Sequence, residues 1–162
     1  MVPVPVLVAD EAYAIDAVDH VIVVTWRGPC TGARLIELVR VMEAVHARTR
    51  RGILVLIVIA ATTPVPGAAE RELLKSQFEY MRGRIAAVAC VLEHKGVLAT
   101  VSRTVITTIA SLAQQPFDLR LFVRADHAMV WLTSTFGDCP EMPRLVAAHA
   151  RCTDAMDGTT VE

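Results

Sequence analysis

No apolar run in this chain is long: the longest, Ile53 through Ala61 (ILVLIVIAA), has nine residues, where a bilayer-spanning helix needs about 18–20. A membrane span is therefore not expected. The opening MVPVPVLVADE has no basic segment, and prolines at positions 3 and 5 interrupt its apolar residues. A secretory signal is not expected from such a start. Neither sign of charge dominates, because 16 Lys and Arg are interspersed with 17 Asp and Glu for a net charge of −1. There is no basic stripe to bind nucleic acid and no basic segment to bind an anionic membrane surface. The four cysteines, Cys30, Cys90, Cys139 and Cys152, form no C-x-x-C pair. They read as free thiols of a cytoplasmic protein; a Cys139–Cys152 bridge would need an oxidising compartment.

Catalytic and cofactor motifs are missing as well. No G-x-G-x-x-G or G-x-x-x-x-G-K-[ST] follows an apolar strand pattern, so no nucleotide is implied. There is no G-x-S-x-G, and Ser76, Ser102 and Ser111 all fall within predicted helices. Glu70, Glu72 and Glu79 read as the solvated side of a helix, not as paired catalytic carboxylates. His20, His46, His127 and His149 lack H-x-x-x-H spacing. Cys90 and His94 would share a face only if their strand ran on through Glu93, and two ligands fall short of the three or four a metal site needs. The expectation is a protein with no catalytic residue, metal or cofactor.

What the chain has in excess is apolar residues. Counting Gly and setting Tyr aside, they make up about 57% against an ordinary 45–50%. Two readings stay open. The surplus lies in a subunit contact, a partner surface or an apolar groove, or it reflects abundant Ala and Val, which are individually small.

The apolar run is also the strongest indicator of fold. A strand with one wet face alternates apolar and polar residues; Ile53 through Ala61 does not, so both its faces should be covered by helices. Residues 12–18 alternate, as a half-exposed edge strand would, and Val21–Trp26 pairs with them as a hairpin. Thr31 is placed to cap a helix over residues 32–50 whose inner face is Leu35, Leu38, Val39, Met42 and Val45, with Gly52 as its stop. After the stiff loop 62–67 (TTPVPG), a helix over 68–84 sets Leu74, Phe78, Met81 and Ile85 on one side. Residues 86–92 form another buried strand. A helix over 97–114 then turns Leu98, Val101, Val105, Ile109 and Leu112 inward, and leaves Thr100, Arg103, Thr104, Thr107 and Ser111 as a small polar stripe. Pro116 ends that helix, residues 119–123 are a short strand, and 125–132 a short helix.

The order β-β-α-β-α-β-α-β-α implies one α/β domain with a mostly parallel sheet of about five strands, the first antiparallel, and about four helices. Residues 1–11 form an N-terminal extension, 12–136 the domain, and 137–162 a tail that is partly helical, with a helical turn or two, or disordered.

This order, with three local patterns, resembles the STAS superfamily of anti-sigma-factor-antagonist-like proteins, in its bacterial single-domain branch. The patterns are Val21-Ile22-Val23-Val24-Thr25-Trp26-Arg27-Gly28-Pro29, Arg120-Leu121-Phe122-Val123, and Ala128-Met129-Val130-Trp131-Leu132. The resemblance implies a non-enzymatic regulatory or scaffold module that acts by protein–protein interaction, with a partner of the kinase or sigma-regulator class, and switching by phosphate on a Ser or Thr. The matching stretch here is Ala60-Ala61-Thr62-Thr63-Pro64, so Thr62 and Thr63 are the candidate acceptors or partner contacts. The family's Asp two residues before the acceptor is an alanine here, and Pro64-Val65-Pro66-Gly67 replaces its Gly-Ser neighbourhood. A homo-oligomer, most simply a homodimer, is expected.

Open α/β sheets bind ligands at the carboxyl ends of their strands. Arg27, His94, Lys95 and Arg124 fall there and are candidates for contacting a small anion or other ligand. The alternative function is a carrier or sensor for a small molecule or lipid, with an apolar pocket between helix and sheet.

Overall fold

The apolar run becomes an inner strand of a six-stranded sheet in a computed structural model that describes residues 8–112 and 117–158. Most of the expected N-terminal extension, the helix stop at Pro116 and the last four residues of the tail lie outside the described residues. In chain order the elements are β1 (Val8–Ala9), β2 (Tyr13–Val18), β3 (Val21–Trp26), α1 (Gly32–Thr49), β4 (Ile53–Ile59), α2 (Ala68–Tyr80), β5 (Ile85–Leu92), α3 (Gly96–Leu112), β6 (Asp118–Phe122), α4 (Ala125–Thr135) and α5 (Met142–Gly158). The strands lie side by side in sequence order. β1–β2 and β2–β3 pair antiparallel, and β3 through β6 run parallel. The expected α/β domain is present, with one more strand (β1) and one more helix (α5) than its approximate count.

Two helix layers cover the sheet. Ile53, Val55, Ile22 and Val24 face α1 and α2, while Leu54, Leu56, Val58, Val21 and Val23 face α4 and α5. Both sides of β4 therefore bury apolar chains, which is why the run never alternates. Thr31 caps α1 as expected, its Oγ1 accepting the Arg34 N–H at 3.3 Å. The left-handed C-cap of α1 falls on Arg50 (φ 55°) and not on Gly52, because the helix already ends at Thr49.

Three expected details differ. β2 was expected to be a half-exposed edge strand, yet all six of its residues are buried. β1 covers its outer edge, and α5 covers the face that holds Ala14, Asp16 and Val18. The helix over 68–84 ends at Tyr80, and the chain turns through Gly83 (φ 79°), so Ile85 opens β5 and is not a helical residue. The tail residues 142–158 form a 17-residue helix, α5, with Leu145, Ala148, Cys152 and Met156 fully buried.

Charge as well as packing pins α5 to the sheet. Asp16 is fully buried; its Oδ2 accepts from Arg151 Nε at 2.7 Å and its Oδ1 from the Ala17 N–H at 2.7 Å. Arg144 of the same helix pairs with Asp19 at 2.8 Å, and Arg27 pairs with Asp157.

Beside that seam, the β2–β3 turn buries His20, which is 1% exposed. Asp138 lies 3.4 Å from its Nε2 but out of line for a hydrogen bond, so neither ring nitrogen is satisfied. Burial pushes the His20 imidazole below its ordinary pKa and Arg51 adds to this, against the opposing pull of Asp138 and Asp19. Burial lowers His149 as well, opposed by Glu93. A group that gives up its proton more readily when folded contributes full stability above its unfolded pKa, near 6.5. That stability is lost as pH falls towards the lower, folded value, because the unfolded chain then binds protons the native state refuses. The melting temperature is expected to hold between pH 8 and 7 and to decline from about pH 6.5 to 5.5. Thermal scans of His20→Leu should show a shallower decline; an unchanged slope would remove His20 from the account.

Candidate functional site

The site lies where the carboxyl ends of β3, β4 and β5 enter their loops. Loop 62–67 folds back over the end of β3, and both of its threonines spend their hydroxyl protons there. Thr62 Oγ1 donates to the Arg27 carbonyl and Thr63 Oγ1 to the Trp26 carbonyl, each at 2.9 Å. Thr62 is exposed and Thr63 buried. Neither stands at the N-terminus of α2, which is capped at Gly67.

Just past β5, His94 turns inward. Its Nε2 lies 2.7 Å from the Thr63 carbonyl oxygen, which can only accept, so that nitrogen carries the proton. Ser102 Oγ lies 3.0 Å from Nδ1 and shares a hydrogen bond with it. Gly96 makes this possible: at φ 63° it takes a left-handed conformation that glycine adopts freely, and α3 doubles back to set Ser102 over the ring. Thr63, His94 and Ser102 are all at least nine-tenths buried.

The relay forms one end of a cavity of about 110 Å³ between the helix layer and the sheet. Ile57 and Ile59 of β4 and Val88, Cys90 and Leu92 of β5 form its floor. Leu35 and Leu38 of α1, Leu74 and Phe78 of α2, and Val105, Ile106 and Ile109 of α3 wall it in. Pro64, Val65 and Pro66 close the loop end. A second space of about 50 Å³ adjoins it, sharing Leu38, Ile57, Leu74, Phe78 and Val88. The cavity accounts for Ile57 and Ile59, which stand mid-sheet yet are only half-buried. Among the described residues no Asp, Glu, Lys or Arg lines it. Its two thiols are poor nucleophiles: burial pushes Cys90 up to about 12, and burial with the nearby Glu70 carboxylate pushes Cys30 to about 11.

The face that α3 turns to the sheet matches the expected one only in part: Val105 and Ile109 line the cavity as expected. Leu98 and Val101, expected inward, are 41% and 43% exposed, and Val97 is 82% exposed. The inward positions are Ser102, Val105, Ile106 and Ile109; the side chain of Leu112 is outside the described residues. The polar stripe Thr100, Arg103, Thr104, Thr107 and Ser111 faces solvent. Thr104 and Thr107 return their hydroxyl protons to carbonyls one turn back.

The expected anion contacts do not converge. Arg27 is taken up by Asp157, Arg124 by Asp126 at 2.9 Å, Lys95 is exposed, and His94 is turned into the cavity. Of the six candidate residues, the folded chain brings together His94 with Thr63, and Thr62 with the backbone of Arg27. Among the described residues no group of three or more His, Cys, Asp or Glu could hold a metal ion, and no helix is long and apolar enough to cross a membrane. The four cysteines are free. The sequence pattern did not single out Ser102, one of several hydroxyl residues of α3 and the one that turns inward.

No family model matches the chain, and no curated protein matches it. Among solved structures it is similar to an anti-sigma factor antagonist from Mycobacterium paratuberculosis, at 16% identity over 76% of this chain and 96% of that one, with a TM-score of 0.45.

Proposed function

We propose that this protein is a non-catalytic STAS-like regulatory module that senses a small apolar molecule. The ligand occupies the cavity beneath α3, and its presence sets how α3 is presented to a protein partner. The observation that carries this is the cavity itself. Protein interiors are close-packed, and a space of this size left unfilled forfeits packing contacts. An engineered apolar cavity of about 150 Å³ accepts benzene, and the space here, about 110 Å³ beside an annex of about 50 Å³, is of that order.

The output side is the N-terminal half of α3. Val97, Leu98 and Val101 are exposed apolar residues on the helix that roofs the cavity, so movement of that helix alters the surface a partner meets. A partner of the kinase or sigma-regulator class, or a second copy of the chain, fits this role. Catalysis is left out because, among the described residues, Ser102 and His94 meet beneath an apolar lining with no charged group, and burial pushes the Cys30 and Cys90 thiols up.

Methyl NMR of the protein titrated with toluene tests the sensor reading. Saturable shifts are expected at Ile57, Leu74, Val88 and Val105, and they should vanish in Val105→Phe, whose ring fills the space. The same variant should keep or gain stability, by about 0.5–2 kcal/mol. A loss of about 1–3 kcal/mol would mean an overpacked core with no void.

A further inference from the structure

The sheet ends on β6, and no described strand pairs with its outer side. We infer that this edge is the seam of a homodimer, in which two copies of β6 meet antiparallel about a twofold axis at Leu119. The inference goes beyond the sensor reading and does not rest on it.

An edge strand presents backbone N–H and C=O groups with no strand to meet, and proteins commonly cover or blunt such an edge. At the opposite side of the sheet the short β1 covers β2. The outer side of β6 has no such cover, because α4, which follows it, turns back over β5 and β4. The two charged residues of β6, Asp118 and Arg120, are both exposed. Among the described residues neither has an ion-pair partner within the chain; the Arg120 guanidinium lies over the Trp131 ring, 5.3 Å from its centroid.

Charges on an edge often keep copies apart, but here their order makes the edge complementary to itself. Residues directly opposite in an antiparallel pair set their side chains on the same face and interact. With the axis at Asp118 or at Arg120, that residue meets its own copy, like charge against like. With the axis at Leu121, Arg120 meets Phe122; with it at Phe122, Arg120 meets Arg124. Only at Leu119 does Asp118 meet Arg120 of the partner subunit, and the twofold makes this pair twice. The other face of the strand agrees. Leu119 and Leu121 stand beside Val88 and Cys90 of β5, and Phe117, Leu119 and Leu121 are each only half-buried. In the same register Leu119 meets its own copy and Phe117 meets Leu121, so apolar pairs close that face.

Sedimentation equilibrium of the full chain and of two charge reversals is the test. The unmodified chain is expected to dimerise in the micromolar range, since an edge of five residues makes a small interface. Asp118→Arg and Arg120→Asp should each weaken the dimer about tenfold or more, by setting like charges opposite each other twice. Mixed together, the two variants should associate about as tightly as the unmodified chain, because every Arg then meets an Asp. Raising the ionic strength should loosen the unmodified dimer, since its charge pairs are exposed to salt. A chain that stays monomeric up to millimolar concentration would overturn the proposal. A dimer that neither reversal weakens would overturn it too, by placing the seam elsewhere. A dimer tightened by salt would remove the charge pairing, and this readout on the unmodified protein decides the matter even if a variant fails to fold.

Discussion

A chain ended at Gly137 is expected to show no cooperative unfolding transition. The truncation removes α5, whose Leu145, Ala148, Cys152 and Met156 are fully buried against β2 and β3. Each large apolar side chain buried in this way is worth about 1.5–3 kcal/mol. The loss also wets the sheet face formed by Ala14, Val18, Val21 and Val23. It strips Arg151 from Asp16 and Arg144 from Asp19. Together these terms approach the entire ~5–15 kcal/mol stability of an ordinary domain. Circular dichroism and thermal scanning of the truncated chain check this. A cooperative melt within a few degrees of the full chain would show that α5 is dispensable to the fold.

Arg151→Ala is expected to cost about 2–3 kcal/mol. Asp16 has no exposure and would be left with the Ala17 N–H and no counter-charge, whereas the Arg151 side chain is 43% exposed and loses little by its own removal. That exposure lets some water reach the carboxylate in the variant, which places the cost below the 3–5 kcal/mol typical of a wholly buried pair. Replacing both residues, as Asp16→Val with Arg151→Met, should recover most of the loss, because packed apolar groups stand in well for a buried ion pair. Denaturant unfolding of the single and double variants measures the coupling. If the double variant is no more stable than Arg151→Ala, the cost is lost packing of the arginine stem and not a stranded charge.

Much of the architecture was legible because local pattern and tertiary role agree. The run Ile53 through Ala61 does not alternate, and β4 is covered on both faces. Thr31 stands where a cap is needed and serves as one. The weak points were places where small residues carry the packing. In α5 the inward positions 145, 148, 152 and 156 hold Leu, Ala, Cys and Met, so two of the four add little to an apolar count although the helical spacing is intact. Pro143 reinforces the look of a tail, yet proline in the first turn of a helix is compatible with it. In α3 the apolar residues Val97, Leu98 and Val101 are exposed, against the usual rule, and Ser102 takes an inward place.

The candidate site was less legible for a different reason. Its central contact joins His94 to Ser102, eight residues apart, across a strand end, a left-handed glycine and two helical turns. Nothing in the spacing of a histidine and a serine marks such a pair until the path of α3 is known. The cavity is a property of how three helices seat on two strands, which no window of sequence contains. Of the basic residues that drew notice, Arg124 meets the carboxylate of Asp126 two residues on, while Arg27 meets that of Asp157, which sequence could not place beside it.

Native mass spectrometry of the freshly purified, full-length protein puts the ligand-sensing account to its most direct test. The account predicts a species heavier than the bare chain by one small neutral molecule, released on denaturation and absent from Val105→Phe. A bare chain in both proteins, with no adduct formed when phenol or toluene is supplied at millimolar concentration, would contradict it.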